Sequence, residues 1–483
     1  MSYLGIDLGT SGLRALLVDE AGSPIGSAES AYDVSNPAPG WSEQDPAAWI
    51  SALEDAMAEL SQGFSAFKGL RGIGVAGHMH GATLLNDSGK VLRPCILWND
   101  TRSEVEAAEL DQIEGVRALS GNIVFPGFTA PKLLWIKKNE PDVFAQVAKV
   151  LLPAAYLNYY LTGKYVADMS DSAGTSWLDV GARAWSQELL DAGDMRRDQM
   201  PELVAGSEKA GMLRDNLCER WGISGDVVIC GGAGDNAAAA CGIGALCSGD
   251  GFVSLGTSGV VLIARNEYAP APETAVHTFC HAIPDRWYQM GVMLSATDSL
   301  NWLSRITGQS PAILTKSLGD KLQPPGGIRF LPYLSGERTP HNDSKIKGAF
   351  TGLSTSTSIE DLTRAVLEGV SFGLRDSFEA LKSTGARVET LTVIGGGSAS
   401  DYWLSLLATV FNVPLKLPKG RELGAALGAA RLALIASTDC DPSDVITAPE
   451  TSAVIQPNPD HISAFDNAYQ AYRAAYPGVR AIQ

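Results

Sequence analysis

With 483 residues, 51 of them glycine, the chain is long enough for two domains that each bury a core of their own. Its formal net charge of −17 argues against nucleic acid, whose phosphates it would repel, yet leaves a nucleotide open, because a few oriented amides and a Mg²⁺ neutralise a triphosphate locally. The start MSYLGIDLG has no basic leader, no apolar run reaches the roughly 18 residues of a membrane span, and the seven scattered cysteines include no CxxC, so a soluble, cytoplasmic protein without a disulfide framework or zinc ribbon is expected.

Runs rich in β-formers predict strands over residues 3–8, 13–18 and 25–32. Trp49, Leu53, Ala56, Met57 and Leu60 recur at helical spacing and predict a helix over 46–60, and the apolar run 72–76 predicts a buried strand. A helix opens at Asp235, and the short Gly-rich stretch 244–250 divides a domain of residues 1–245 from one of residues 246–483. A comparable series then returns: strands at 252–255, 260–264 and 287–292, a long helix at 358–381, a strand at 390–394, and helices from about 400 and 424. The polar stretch 437–457 reads as loop. Both halves are α/β, so a duplicated architecture is expected.

The pentapeptide LGTSG occurs twice, at residues 8–12 and 255–259, each time between two predicted strands. A strand, a Gly-Thr-Ser-Gly turn and a second strand make a hairpin whose tip exposes backbone N–H groups and two hydroxyls, a shape that holds phosphate oxygens. Such a turn also arises by chance in a glycine-rich chain. The acids decide: Asp7 precedes the first copy, and Asp235 lies in GGAGDN shortly before the second. Two acids with two phosphate-type turns indicate a nucleotide-dependent phosphotransferase. Rival phosphate motifs fail, since Asp7 stands where GxGxxG needs its second Gly and GxxxxGK[ST] does not occur. The pair His277 and His281 in HTFCH looks like a metal site, but the segment reads as a strand, where the two imidazoles sit too far apart to chelate; they are expected to be structural.

Longer motifs carry a resemblance. GFTAPKLLWIKKN at 127–139, and GAFTGL at 348–353 followed by Asp361 and Glu368, match the two signatures of the FGGY family of carbohydrate kinases, within the actin, Hsp70 and sugar kinase superfamily. The similarity runs from Gly5 to about Ala430. MHGA at 79–82, LWND at 97–100, DMSD at 168–171 and SGERTPH at 335–341 resemble the branch that acts on xylulose more than the glycerol branch, which has an Arg-Glu pair where Met79 and His80 stand. The resemblance implies two ribonuclease-H-like α/β domains with a cleft between them. It implies sugar binding and the catalytic acids in the first domain, ATP binding in the second, and phosphorylation of D-xylulose at its 5-hydroxyl.

Site roles follow as expectations. Asp235 is the general base, since in the family the Asp after the Gly-rich turn faces the sugar; the competing reading is a helix N-cap. Asp7, acceptor-only when ionised and beside the first turn, suits Mg²⁺ held through water. Thr10, Ser11 and Gly12 meet the β- or γ-phosphate from one domain, and Gly256 and Thr257 from the other. By resemblance, Gly396, Gly397 and Asp401 hold the adenosine end of ATP, while Met79, His80, Trp98 and Asn99 meet the sugar. His78 stands where the branch often has Gln and would shift sugar preference if it points into the site. Partners are a small sugar, with neither nucleic acid nor membrane; a homodimer is left open. Competing readings are a kinase of ribulose, another ketose or a polyol, and an ATP-driven conformational protein of the Hsp70 or actin type, against which no appended peptide-binding β-domain follows the second half.

Overall fold

The computed structural model describes residues 1–419 and 424–483. Two seven-stranded sheets carry the two halves. The first contains β1 (Ser2–Leu8), β2 (Gly12–Asp19), β3 (Pro24–Ala31), β4 (Leu70–Gly77), β5 (Lys209–Met212) and β6 (Val228–Cys230), in the order β5-β6-β4-β1-β2-β3, with Ala233–Gly234 pairing alongside β4. The second contains β7 (Gly251–Leu255), β8 (Gly259–Arg265), β9 (His277–Cys280), β10 (Trp287–Met293), β11 (Leu391–Ile394), β12 (Leu415–Pro418) and β13 (Thr451–Ile455), in the order β9-β10-β8-β7-β11-β12-β13. In each half an antiparallel hairpin, β1-β2 or β7-β8, takes a parallel neighbour on its other edge, β4 or β11. The repeated plan is the expected pair of ribonuclease-H-like α/β domains.

Alternation along β1 builds the layers. Leu4 and Ile6 face α1 (Pro46–Gly63), whose Trp49, Leu53, Ala56, Met57 and Leu60 form the buried stripe. Asp45 caps that helix by accepting from the Ala47 amide, and Pro46 fills its first turn, where a missing N–H costs nothing. Tyr3 and Gly5 face the other way, toward α6 (Gly424–Thr438), a helix that belongs to the second half by sequence but lies on the first sheet. A Cβ at Gly5 would stand 1.8 Å from the Ala426 carbonyl oxygen, so the close approach of helix to sheet requires glycine there.

In the second half, α5 (Ile359–Ser383) opens on a capping box between Ser358 and Asp361 and buries its apolar face with Val253, Leu255, Val261 and Ile263. Phe252, Leu262 and Tyr288 point to the opposite face and join a core that continues to Ala76, Met79, Phe128 and Ala237 of the first half. One apolar floor therefore runs beneath both domains.

The stretch expected as loop at 437–457 holds a helical turn, Pro442–Val445, and strand β13, antiparallel to β12. β13 is an edge strand with mostly exposed side chains, so its sequence lacks the apolar signal of a buried strand. Among the seven free cysteines, Cys247 is exposed and Cys95, Cys230, Cys241 and Cys280 are buried. Among the described residues no helix is long and apolar enough to cross a membrane.

Candidate active site

Parallel pairing aligns the carboxyl ends of β1, β4 and the strand at Ala233–Gly234: Leu8 and Gly234 both sit opposite Gly77. The chain leaves these three ends as the first Gly-Thr-Ser-Gly turn, as His78 to His80, and as Asp235. The carboxyl edge of parallel strands is where open α/β sheets bind ligands. A cleft of about 250 Å³ opens there, lined from the first half by Met79, His80, Trp98, Phe128, Asp235 and Asn236, and from the second by Ser254, Ser258, Met290 and Arg338.

Asp235 is the first residue of α3 (Asp235–Ile243), and Gly234 occupies the N-cap position. Its Oδ1 accepts from the backbone N–H of Asn236 at 2.7 Å and from Asn236 Nδ2 at 2.8 Å, while Oδ2 has no hydrogen-bond partner among the described residues. One oxygen is anchored and the other is left for a ligand. Burial, reinforced by the negative charge of Asp7, pushes this carboxyl up to about 7. Asp7 itself is lifted to about 6 by burial, partly offset by Arg14 across the β1-β2 pair. Among the described residues no three His, Cys, Asp or Glu side chains come together as a metal site. The Asp7 carboxylate beside the first turn offers the hard oxygen donors that would suit a Mg²⁺ retaining most of its water, the usual habit of that ion.

His80 is fixed on three sides. Nδ1 lies 2.8 Å from the Gly174 carbonyl oxygen, which accepts and so requires the N–H on Nδ1, leaving Nε2 as the acceptor. Its ring stacks on Phe128 at 4.5 Å. Its backbone adopts φ +69°, strained for a non-glycine residue by roughly 1–3 kcal/mol. The strain is held by α2 (Thr129–Asn139), from which Lys132 Nζ (2.7 Å) and Thr129 Oγ1 (3.2 Å) both donate to the His80 carbonyl oxygen. Burial pushes the imidazole down to about 3, with further lowering from Lys132, so it is neutral at physiological pH. Lys132 is fully buried and pulled down to about 7 by that burial.

Met79 lines the cleft and belongs to the core at once, and the Tyr288 hydroxyl lies 3.8 Å from its sulfur. Trp98 is 36% exposed and donates from Nε1 to Thr10 Oγ1 at 3.1 Å, tying this wall of the cleft to the first turn. Asn99 lines an adjoining groove with Glu104 and Ser335. His78 does not line the cleft: it is buried and packs edge-on against Trp49 at 5.5 Å, which holds it toward the core. His281 accepts from the Ile283 amide and contacts the Ala245 carbonyl oxygen, while His277 sits among Phe125, Phe128 and Phe279.

In both Gly-Thr-Ser-Gly turns the carbonyls are occupied. Tyr32 Oη donates to Gly9 and Gln44 Nε2 to Thr10 in the first; the amides of Thr297 and Ala296 donate to Gly256 and Thr257 in the second. The backbone N–H groups of Thr10, Ser11, Gly256 and Thr257 have no partner among the described residues, an arrangement suited to anionic oxygens. Gly12 begins β2 opposite Ala31. Gly395, Gly396 and Gly397 end β11 against the second turn: a Cβ at Gly397 would lie 2.8 Å from Leu255 Cβ, and the space above Gly396 is open. Asp401 is exposed at the first position of the helix Asp401–Phe411.

Residues 2–242 match the N-terminal domain of the FGGY family of carbohydrate kinases, and residues 251–437 match its C-terminal domain. The chain belongs to the FGGY family of carbohydrate kinases. It is 46% identical over 439 residues, 90% of each chain, to a xylulose kinase of Escherichia coli strain K12. A solved structure of a xyloylose kinase from Brucella ovis superposes with a TM-score of 0.98 at 56% identity, covering 100% of both chains. A gluconate kinase from Lactobacillus acidophilus superposes at 0.92 with 26% identity, covering 99% of this chain and 98% of the other.

This FGGY carbohydrate kinase also brings to its cleft residues to which sequence reasoning gave no role: Phe125, Phe128, Asn236, Ser254, Met290, Val292 and Arg338. Phe128 and Arg338 lie inside motifs already singled out, at 127–139 and 335–341, but a motif does not say which of its side chains faces the cavity. Met290 and Val292 alternate along β10, and only the packing of the second sheet against the first tells that this face looks into a cleft.

Proposed function

We propose that this carbohydrate kinase transfers the γ-phosphoryl group of ATP to the 5-hydroxyl of D-xylulose, giving D-xylulose 5-phosphate and ADP. The observation that carries the reading is the pairing of a half-anchored Asp235, whose Oδ2 is free and whose carboxyl is poised near 7, with a neutral His80 presenting Nε2 as an acceptor in the same cleft. Phosphoryl transfer asks little of the protein beyond alignment, charge neutralisation and a base for the hydroxyl proton. Asp235 takes that proton, and a base of this acidity is ionised in a large fraction of molecules at neutral pH while still accepting readily. His80 accepts from a second hydroxyl, and Met79 gives adaptable apolar contact to the carbon chain.

The free amides of the two turns hold the phosphates from both sides, and the turn at Gly395 to Gly397 receives the adenosine end. Asp7 would hold Mg²⁺ through water, and that ion, when bound, neutralises phosphate charge. The similarity to xylulose kinases favours xylulose, whereas the likeness to a gluconate kinase means that the fold alone leaves the sugar undecided.

The test is a panel of D-xylulose, D-ribulose, L-ribulose, gluconate and glycerol with coupled ADP detection. D-xylulose should exceed glycerol by at least tenfold in kcat/KM, about 1.4 kcal/mol of differential transition-state binding, and His80→Ala should erode that ratio. Faster turnover of glycerol or L-ribulose than of D-xylulose would replace the sugar named here.

A further inference from the structure

Two charged side chains line the cleft among its described residues, Asp235 from the first half and Arg338 from the second. Arg338 has no part in the chemistry above. It follows Glu337 in the connection between the strands Arg329–Leu331 and Ala349–Thr351. Its guanidinium carbon lies 4.7 Å from the centre of the Phe125 ring, and the group makes neither a hydrogen bond nor an ion pair among the described residues. Glu337 lies near enough to favour the charged guanidinium but makes no ion pair with it: Oε1 accepts from the backbone amides of Arg338 and Leu294, and Oε2 has no partner among the described residues. Burial draws the guanidinium down only to about 10, so it is charged at neutral pH. Withdrawing such a group from bulk water without a partner is costly, and a cation kept that way at a cleft marks ligand recognition.

The ligand's chemistry follows from which hydrogen-bonding groups are free. Asp235 Oδ2 and His80 Nε2 are acceptors, served by sugar hydroxyls. Asn236 Nδ2 gives one of its two N–H groups to Asp235, and the single N–H of Trp98 goes to Thr10. Ser254 lies just before the second Gly-Thr-Ser-Gly turn and Ser258 within it, on the side assigned to the nucleotide. A ketose differs from the alditol of the same length in one atom that only accepts, its carbonyl oxygen. The guanidinium fork is the charged, bidentate donor available to it, and the strongest in the cleft.

We propose that Arg338 donates hydrogen bonds to the ketone oxygen of the bound sugar and so makes this cleft select ketoses over alditols. The inference rests on the ketose-kinase reading above. It divides recognition between the halves: the first domain reads hydroxyls and takes the proton, and the second reads the carbonyl, so the full set of contacts forms only when both domains close on a ketose.

The test compares D-xylulose with xylitol, by calorimetry for Kd and by coupled ADP detection for kcat/KM, in the full-length wild type, Arg338→Met and Arg338→Lys. The wild type should bind the ketose at least about tenfold more tightly than xylitol. Arg338→Met keeps a long unbranched side chain without charge or donor and should lose about 10–100-fold on D-xylulose but less than about threefold on xylitol; Arg338→Lys, with a charge but no fork, should fall between. Equal losses on both sugars, or a wild type without preference, overturns the proposal. Should Arg338→Met fail to fold, Arg338→Lys carries the test, and an unchanged ketose-to-alditol ratio in it overturns the proposal. A wild type that phosphorylates no ketose removes the functional reading and this inference with it, whereas ketose turnover with an unmoved ratio removes Arg338 alone.

Discussion

The two LGTSG segments have the same sequence and do not have the same structure. The first hairpin closes with Leu8 opposite Leu13, over the four residues 9–12, and Gly12 pairs outward with Ala31 on β3. The second closes with Leu255 opposite Gly259, over the three residues 256–258. Side chains from distant segments, Tyr32 and Gln44, take the carbonyls of the first turn; the start of the helix Thr297–Thr307 takes those of the second. At the position before the leucine, the first copy carries Asp7 and the second Ser254. Local sequence thus produces a turn with free amides in both places, while neighbours set its width and the preceding residue sets its charge. The comparison predicts that the acidic turn manages metal and charge and that the neutral one only positions phosphate.

The largest effect expected is at Asp235, the acid that both turns flank. Asp235→Asn keeps the anchor to Asn236 but cannot take a proton, so kcat should fall roughly 10²–10⁴-fold with sugar affinity retained. Steady-state rates and calorimetry with the sugar measure the two halves of that statement, and near-normal turnover would leave Asp235 as a helix-start residue.

Next comes the contrast between the turns themselves. Asp7→Ala should cost about 10²-fold or more in kcat/KM for the nucleotide and change the Mg²⁺ dependence, whereas Ser254→Ala should cost less than about fivefold and leave that dependence alone. Activity titrated against Mg²⁺ distinguishes them, and matched losses would put the two turns on equal footing.

Acidity gives the third test. The base works ionised, and its carboxyl stands at about 7, so kcat/KM should fall about tenfold per pH unit as pH drops below that value and level off above it. His80, pushed down to about 3, adds no limb in that range. A profile flat from pH 5 to 8 would mean that Asp235 is either an ordinary carboxylate or not the base.

The smallest effect concerns the glycine turn behind the second hairpin. Gly395 has φ +89°, and a Cβ there would lie 2.7 Å from the Leu255 backbone, whereas Gly396 faces open space. Gly395→Ala should lose about 1–2 kcal/mol of stability and weaken nucleotide use, and Gly396→Ala should stay within about 0.5 kcal/mol. Urea unfolding of both variants decides it.

Periodicity and turn chemistry were enough to find the layers. The strand at 3–8, the helical stripe from Trp49 to Leu60 and the long helix at 358–381 are local patterns, and each formed within a few residues of its expected bounds. The repeated pentapeptide and the two acids were likewise readable, because phosphate-type turns and carboxylates are rare enough in combination to stand out. Edge strand β13 was not readable, since a half-exposed strand buries too little to leave an apolar pattern. Nor was the direction of His78, one residue from His80: only the packing of Trp49 decides that it turns inward while His80 turns to the cleft. Arg338 lies more than a hundred residues from Asp235 in sequence, and its place across the cavity from that acid is set by how the second sheet rests on the shared apolar floor. The sequence by itself determined the α/β layers, the two turns, the acids and the family, because these depend on contacts within one element or one motif. The tertiary structure alone decided which side chains meet in one cleft, which tautomer His80 carries and which cleft cation is left without a hydrogen bond among the described residues, because those depend on desolvation and distance between segments that the chain brings together only on folding.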